Sequence, residues 1–262
     1  MGADIELWQA AVSLVLIALV VGVSLWQRLG LEKSVVWATM RATVQLLAVG
    51  VFFTVIFESR LVNLWSGLWV AAMVGVAGVV VARRTRAGRY LLIVGLVSIA
   101  VTVGMVLGVV FGLGVLALEA VSVVVIAGIT IGNTLPTVVQ AVDRTRDQLR
   151  DSSGQIEAML ALGFDSKEST RRVVHDVTRL ALIPQIERTK VVGLIALPGA
   201  MTGLLLAGAD PFDAVLIQLV VMFLVLGAVA LSVIIVTLAM TRQALTPDLR
   251  LADWVRSHDS NT

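Results

Sequence analysis

Long apolar runs separated by short polar stretches make up most of the chain, and one polar stretch, 140–190, stands apart by its length. A helix rises about 1.5 Å per residue, so roughly 20 consecutive apolar residues cross the hydrocarbon layer of a bilayer. On that measure the pattern predicts spans at 7–26, 38–57, 63–82, 90–111, 115–139, 191–209 and 214–240, seven crossings in all. The expected fold is all-α: one polytopic transmembrane helical bundle over residues 1–262, with 140–190 as its single long loop.

The basic residues orient this bundle, because cytoplasmic loops keep the Lys and Arg that are costly to translocate. An N-terminus outside puts Arg28, Lys33, Arg41, the cluster Arg83, Arg84, Arg86 and Arg89, every base from Arg144 to Lys190 and the C-terminal arginines inside. Only Arg60 is then left outside. The C-terminus and the 140–190 loop are accordingly expected in the cytoplasm, and the membrane is expected to be the inner (plasma) membrane. Residues 1–6 carry two acids and no base, so they lack the positive segment of a cleaved signal, and the first run is expected to be a retained span.

The long loop is patterned rather than low in complexity, which predicts helices instead of a disordered linker. Ile156, Leu160, Gly163 and Phe164 share one helical face. Asp165, with Glu168 three residues on, reads as the N-cap of a second helix, whose apolar stripe is Val173, Val174, Val177, Leu180 and Ala181. Pro184 is expected to end that helix. Its other face carries Arg171, Arg172, His175, Asp176 and Arg179, a mixture suited either to water or to a protein partner.

Composition agrees with the bilayer as solvent: 58% of residues are hydrophobic and 15% charged, and the mean hydropathy is +0.96. The absence of cysteine excludes disulfides, thiolate metal sites and cysteine nucleophiles. His175 and His258 lie outside the apolar runs, and no clustered carboxylates lie inside them, which argues against an intramembrane metalloenzyme or a carboxylate proton pump. The chain also lacks a G-x-x-x-x-G-K-[ST] loop to cradle ATP phosphates. No enzymatic activity, directly bound cofactor, nucleic-acid partner or metal ligand is therefore assigned; any ATP is held by another subunit.

Helix breaks point to a pathway, since irregular backbone at membrane depth survives only when buried in protein or lining a wet cavity. Asn133 and Pro136 interrupt the fifth run, and Pro198 with Gly199 divides the sixth. Each break reads as a packing kink or as pathway lining. Gln45 and Gln218 are polar residues within spans, suited to interhelical hydrogen bonds or to the same pathway, and Met201 is either packing or a soft ligand. Small residues at four-residue spacing, Gly104, Gly108 and Gly112 and again Gly128 and Gly132, are expected to let helices approach closely. The outer loops hold Glu58, Glu119, Asp210 and Asp213 against Arg60, an anionic exit that favours cations.

The segment Glu157-Ala158-Met159-Leu160-Ala161-Leu162-Gly163-Phe164-Asp165, followed by Ile183-Pro184-Gln185-Ile186, resembles the EAA loop of ABC transporter permeases. Its flanks, Gly128-Ile129-Thr130-Ile131-Gly132-Asn133 and Val192 to Gly203, together with Arg41, Gln45, Pro211 and Gln218, resemble the iron-export permease family of FetB-like proteins. Ile129, Ala200 and Leu204 stand where that family's pattern has methionine, methionine and glutamine. The resemblance implies a seven-span permease working as a homodimer with two copies of a separate ABC ATPase, and exporting iron or a related substrate. It places ATPase coupling at Glu157, Ala158, Leu160, Gly163 and Phe164, while the helix breaks and the polar or soft residues of the spans give the pathway candidates Asn133, Pro198, Gly199, Met201, Gln45 and Gln218. A stand-alone channel or secondary transporter, and a membrane scaffold without transport, are the competing readings.

Overall fold

A computed structural model of the chain describes residues 12, 14–57, 59–84, 89–246, 248 and 250–256. Among them the fold is all-helical: α1 (Leu14–Gln27), α2 (Glu32–Phe57), α3 (Val62–Arg84), α4 (Arg89–Gly112), α5 (Ala120–Asp151), α6 (Ser153–Ala161), α7 (Ser166–Val191), α8 (Gly199–Leu206), α9 (Pro211–Gln243) and α10 (Asp253–Arg256). Five of these, α2, α3, α4, α5 and α9, are long and apolar enough to cross a membrane, so the chain is a multi-pass membrane protein.

The core forms where α3, α4, α5 and α9 meet, and α7 lies along α5 and α9. Ile99, Val103, Ala127, Ile131, Val138, Val142, Val236 and Met240 fill its centre. Inside it, Thr102 Oγ1 and Ser232 Oγ lie 2.8 Å apart and Ser98 Oγ donates to the Ser232 carbonyl at 3.2 Å, pinning α4 to α9 where an unpaired hydroxyl would be costly. The α1–α2 hairpin is peripheral. Ser24 Oγ donates to Glu32 across its turn at 2.8 Å, and Phe52 and Phe53 meet Trp69 of α3 at ring separations of 4.5 and 5.8 Å.

Neither Asn133 nor Pro136 interrupts α5, which is continuous from Ala120 to Asp151, and three further expectations are corrected. Pro184 does not end α7, which runs through it to Val191; Ala181 and Leu182 pack into the cluster of Ala141, Val225, Val229 and Val233, and that packing outweighs the one backbone bond proline removes. The sixth predicted span, 191–209, is not a crossing helix. After Val191 the chain turns through Gly193, whose φ of 88° suits glycine, and only the eight residues Gly199–Leu206 are helical, about 12 Å of rise. The first predicted span, 7–26, lies partly outside the described residues.

The third correction concerns the close helix approach. A Cβ at Gly104, Gly108, Gly112 or Gly132 would meet nothing within 4 Å, and one at Gly128 would only touch Met73 Cε at 3.4 Å. The tight contact lies instead between α3 and α4, where a Cβ on Gly78 would come within 2.9 Å of Leu96 Cβ and one on Gly95 within 2.9 Å of Val81 Cγ1. Four-residue spacing marked glycines that, Gly128 and its contact with Met73 apart, leave open space where a Cβ would stand.

Candidate coupling elbow and membrane cavity

The long loop folds back on itself at a four-residue elbow, Leu162 to Asp165. Gly163 N–H donates to the Leu160 carbonyl at 3.0 Å and Phe164 N–H to the Met159 carbonyl at 3.1 Å, the paired bonds that close a helix with a left-handed glycine. Gly163 supplies that residue, with φ 89°. Asp165 then caps α7, accepting from Glu168 N–H at 2.6 Å, as its spacing predicted. Both helix ends are satisfied, so the elbow is stiff.

The face read as one stripe divides in two. Ile156 and Leu160 point inward, buried with Leu149, Val173, Val177, Ala244, Leu251 and Val255. Leu160 is 9% exposed and so anchors the elbow from beneath. Glu157, Ala158, Gly163 and Phe164 lie on the outside, with Leu162 77% and Phe164 43% exposed. Large apolar side chains at a capped, solvent-facing corner are what a partner groove takes up. The segment after α9 clasps the anchor: Leu251 and Val255 are buried in it, and Arg150 Nε donates to the Val255 carbonyl at 3.3 Å.

Beside the elbow, a cavity of about 380 Å³ opens between α6 and the first turns of α7, walled by Met159, Arg171, Arg172 and His175 among others. Asp176 is held below the usual carboxylate range by the hydrogen bond from His175, 3.0 Å away, and by the charge of Arg172. The polar face of α7 is thus basic with a carboxylate tied into it.

At the far end of α7 lies a larger, partly open cavity, about 410 Å³, lined by α5, α7, α9 and the break before α8. It brings together Asn133, Pro198, Gly199 and Gln218 of the sequence-predicted pathway residues. Asn133 stands about 20 Å along α5 from Ala120, inside a helix long and apolar enough to cross a membrane. Its Nδ2 donates to the Ile129 carbonyl at 2.8 Å, which leaves Oδ1 toward Arg188. Gln218 is 8% exposed, and its Oε1 has no hydrogen-bond partner. The break leaves no open carbonyl at Pro198, which accepts from Thr202 N–H at 3.0 Å and Thr202 Oγ1 at 3.2 Å.

Gln45 and Met201 do not line this cavity. Gln45 is exposed on α2 and Met201 half-buried on α8. Gln185 and Arg188 do line it, and the sequence reading missed both. Reading α7 through Pro184 places Ala181, Gln185, Arg188 and Val192 at i, i+4, i+7 and i+11, one face of one helix; ending the helix at the proline hid that face.

Comparison with known proteins finds relatives named as membrane proteins. A family model described as an uncharacterised protein family, UPF0014, matches residues 7–245. The UPF0014 membrane protein STAR2 of Oryza sativa subsp. japonica is 33% identical over 246 residues, covering 93% of this chain and 85% of its own. The probable iron export permease protein FetB of Escherichia coli (strain K12) is 32% identical over 225 residues, covering 86% of each. Protein ALUMINUM SENSITIVE 3 of Arabidopsis thaliana is 31% identical over 252 residues, covering 95% of this chain and 91% of its own. No solved structure matches the chain significantly.

Proposed function

The chain belongs to the UPF0014 family of membrane proteins, and from that premise we propose that it is the membrane-spanning permease subunit of an ABC exporter that moves iron or a related metal out of the cytoplasm. The observation that carries the reading is the elbow at Leu162–Asp165, exposed at its tip and anchored from beneath by Ile156 and Leu160. ATP binding and hydrolysis belong to a separate ABC ATPase, and two copies of this chain pair with two of it in the inner membrane. The N-terminus faces outward and the elbow faces the cytoplasm.

The geometry supports a lever. α7 has 26 residues and so spans about 39 Å, with the elbow at its first residue and the cavity at its last turns. When the ATPases close, the displaced elbow carries α7 with it, and the wall bearing Gln185 and Arg188 shifts against Asn133 on α5 and Gln218 on α9. The cavity then switches from inward to outward access, and the acidic outer loops receive the cargo. The name of FetB supplies the iron and the direction.

The test is co-purification with a candidate ABC ATPase co-expressed with this chain, together with its stimulated ATP hydrolysis. Phe164→Ser combined with Leu162→Ser should leave insertion and thermal stability unchanged and abolish both. Full stimulation by this variant would remove the coupling role.

A further inference from the structure

The 410 Å³ cavity contains a charge whose sign is informative. Among the described residues lining it, Arg188 is the ionised one; the other polar groups are the amides of Asn133, Gln185 and Gln218 and the Thr189 hydroxyl. No carboxylate, imidazole or thiolate is in the wall, and among the described residues no three His, Cys, Asp or Glu stand together anywhere that could hold a metal ion. A bare divalent cation entering here would meet a guanidinium and no anionic ligand, and a desolvated cation near a like charge is strongly disfavoured.

An oxyanion meets the reverse. A guanidinium offers paired N–H donors in the fork that matches a carboxylate or phosphate. Arg188 makes only a long contact, 3.5 Å, to Asn133 Oδ1, and its salt-bridging neighbours Glu187 and Lys190 pair with each other at 2.8 Å. Gln218 adds the second observation: a side chain more than nine-tenths buried on the cavity wall, with an unpartnered oxygen. A buried amide oxygen without a partner costs free energy unless a donor meets it, and a ligand hydroxyl is one group that could do so.

We infer that this cavity binds a small hydroxylated oxyanion, with Arg188 pairing the carboxylate or phosphate and Gln218 and Asn133 meeting its hydroxyls, so that a metal cargo crosses as its oxyanion complex and not as a bare ion. This rests on the permease reading for its role in transport but not for the binding itself. Arg188 is then a specificity-determining residue.

Equilibrium binding to the full chain in lipid nanodiscs, without the ATPase, decides it. The probes are citrate, ferric citrate, inorganic phosphate and ferrous chloride. Citrate or ferric citrate should bind, with phosphate weaker for want of hydroxylated carbon; Arg188→Gln should weaken binding roughly tenfold or more, and Arg188→Lys should restore part of it. Gln218→Leu, checked for an unchanged melting temperature, should weaken the hydroxylated anions more than phosphate. Ferrous chloride binding that persists or strengthens in Arg188→Gln, or no binding of any of the three anions, overturns the inference. Anion binding without ATPase co-purification would leave the site standing and remove the permease reading, whereas ATPase coupling without anion binding would do the opposite.

Discussion

Arg188 Nη1 lies 3.5 Å from Asn133 Oδ1, across 55 residues of sequence. The contact joins the last turn of α7 to the middle of α5, so the helix that begins at the elbow ends against the cavity. A rod transmits displacement only while it stays helical. Leu180→Gly with Ile183→Gly softens α7 on its exposed side, each at about 1 kcal/mol of helix propensity, without touching the buried stripe. The ATPase should still co-purify with this variant, while ATP-dependent efflux from vesicles falls several-fold. Unchanged efflux would show that α7 is not the lever.

The divided face of α6 separates anchoring from docking. Leu160→Ala empties part of the cluster of Leu149, Ile156, Val173 and Val177 and is expected to cost about 2–4 kcal/mol, read as a lower melting temperature in detergent. Leu162→Ala, at an exposed position, should leave the melting temperature within a degree or two and weaken ATPase binding. The opposite ranking would mean that the elbow is buried in the assembled subunit.

What could be read from the sequence, and what could not, follows from the range of each interaction. The elbow was legible in part: Asp165 reaches an N–H three residues on, a local signal, whereas Gly163 was read as part of the helical face and instead closes the helix as a left-handed residue. The five long spans were legible from hydropathy, since lipid imposes the same requirement on every residue of a run. The direction of Leu160 and the survival of α7 through Pro184 were not. Both depend on partners far along the chain, Leu251 and Val255 for the first and Val225 and Val229 for the second. Arg188 was hidden by the same error at Pro184.

The α3–α4 approach gives a contrast between glycines of similar sequence context. Gly78→Ala places a methyl 2.9 Å from Leu96 Cβ and 3.2 Å from its Cα, and backbone cannot rotate away, so the helices must part. A loss of about 1–3 kcal/mol is expected. Gly104→Ala meets nothing within 4 Å and, by helix propensity, should be neutral or stabilising by up to about 1 kcal/mol in the isolated subunit. Thermal unfolding of the two variants side by side checks the pair. Destabilisation or loss of dimer in Gly104→Ala would instead assign that open face to a second copy.

The break before α8 distinguishes two residues that the sequence presents as one signal. Pro198 fixes its own φ and holds Leu197 out of the helical region, yet the turn ahead of it is closed by other atoms. Gly193 N–H donates to the Ala196 carbonyl at 2.9 Å, and Ala196 N–H reaches back to Val191 at 3.3 Å. Gly193 makes this possible with a φ of 88°, a conformation costing about 1–2 kcal/mol for a residue with a Cβ. Pro198→Ala therefore leaves the turn in place, and because the Pro198 carbonyl already accepts from Thr202, it frees no new ligand. Transport should fall by less than twofold. Gly193→Ala, with no neighbour within 4 Å to clash, acts through backbone strain alone and pushes the segment from Val192 toward helix. That would carry Pro198 and Gly199 away from Asn133 and Gln218 and reshape the cavity. ATP-driven efflux is expected to drop tenfold or more in Gly193→Ala while ATPase co-purification is retained. Equal effects from the two variants, or a larger one from Pro198→Ala, would return control of the break to the proline.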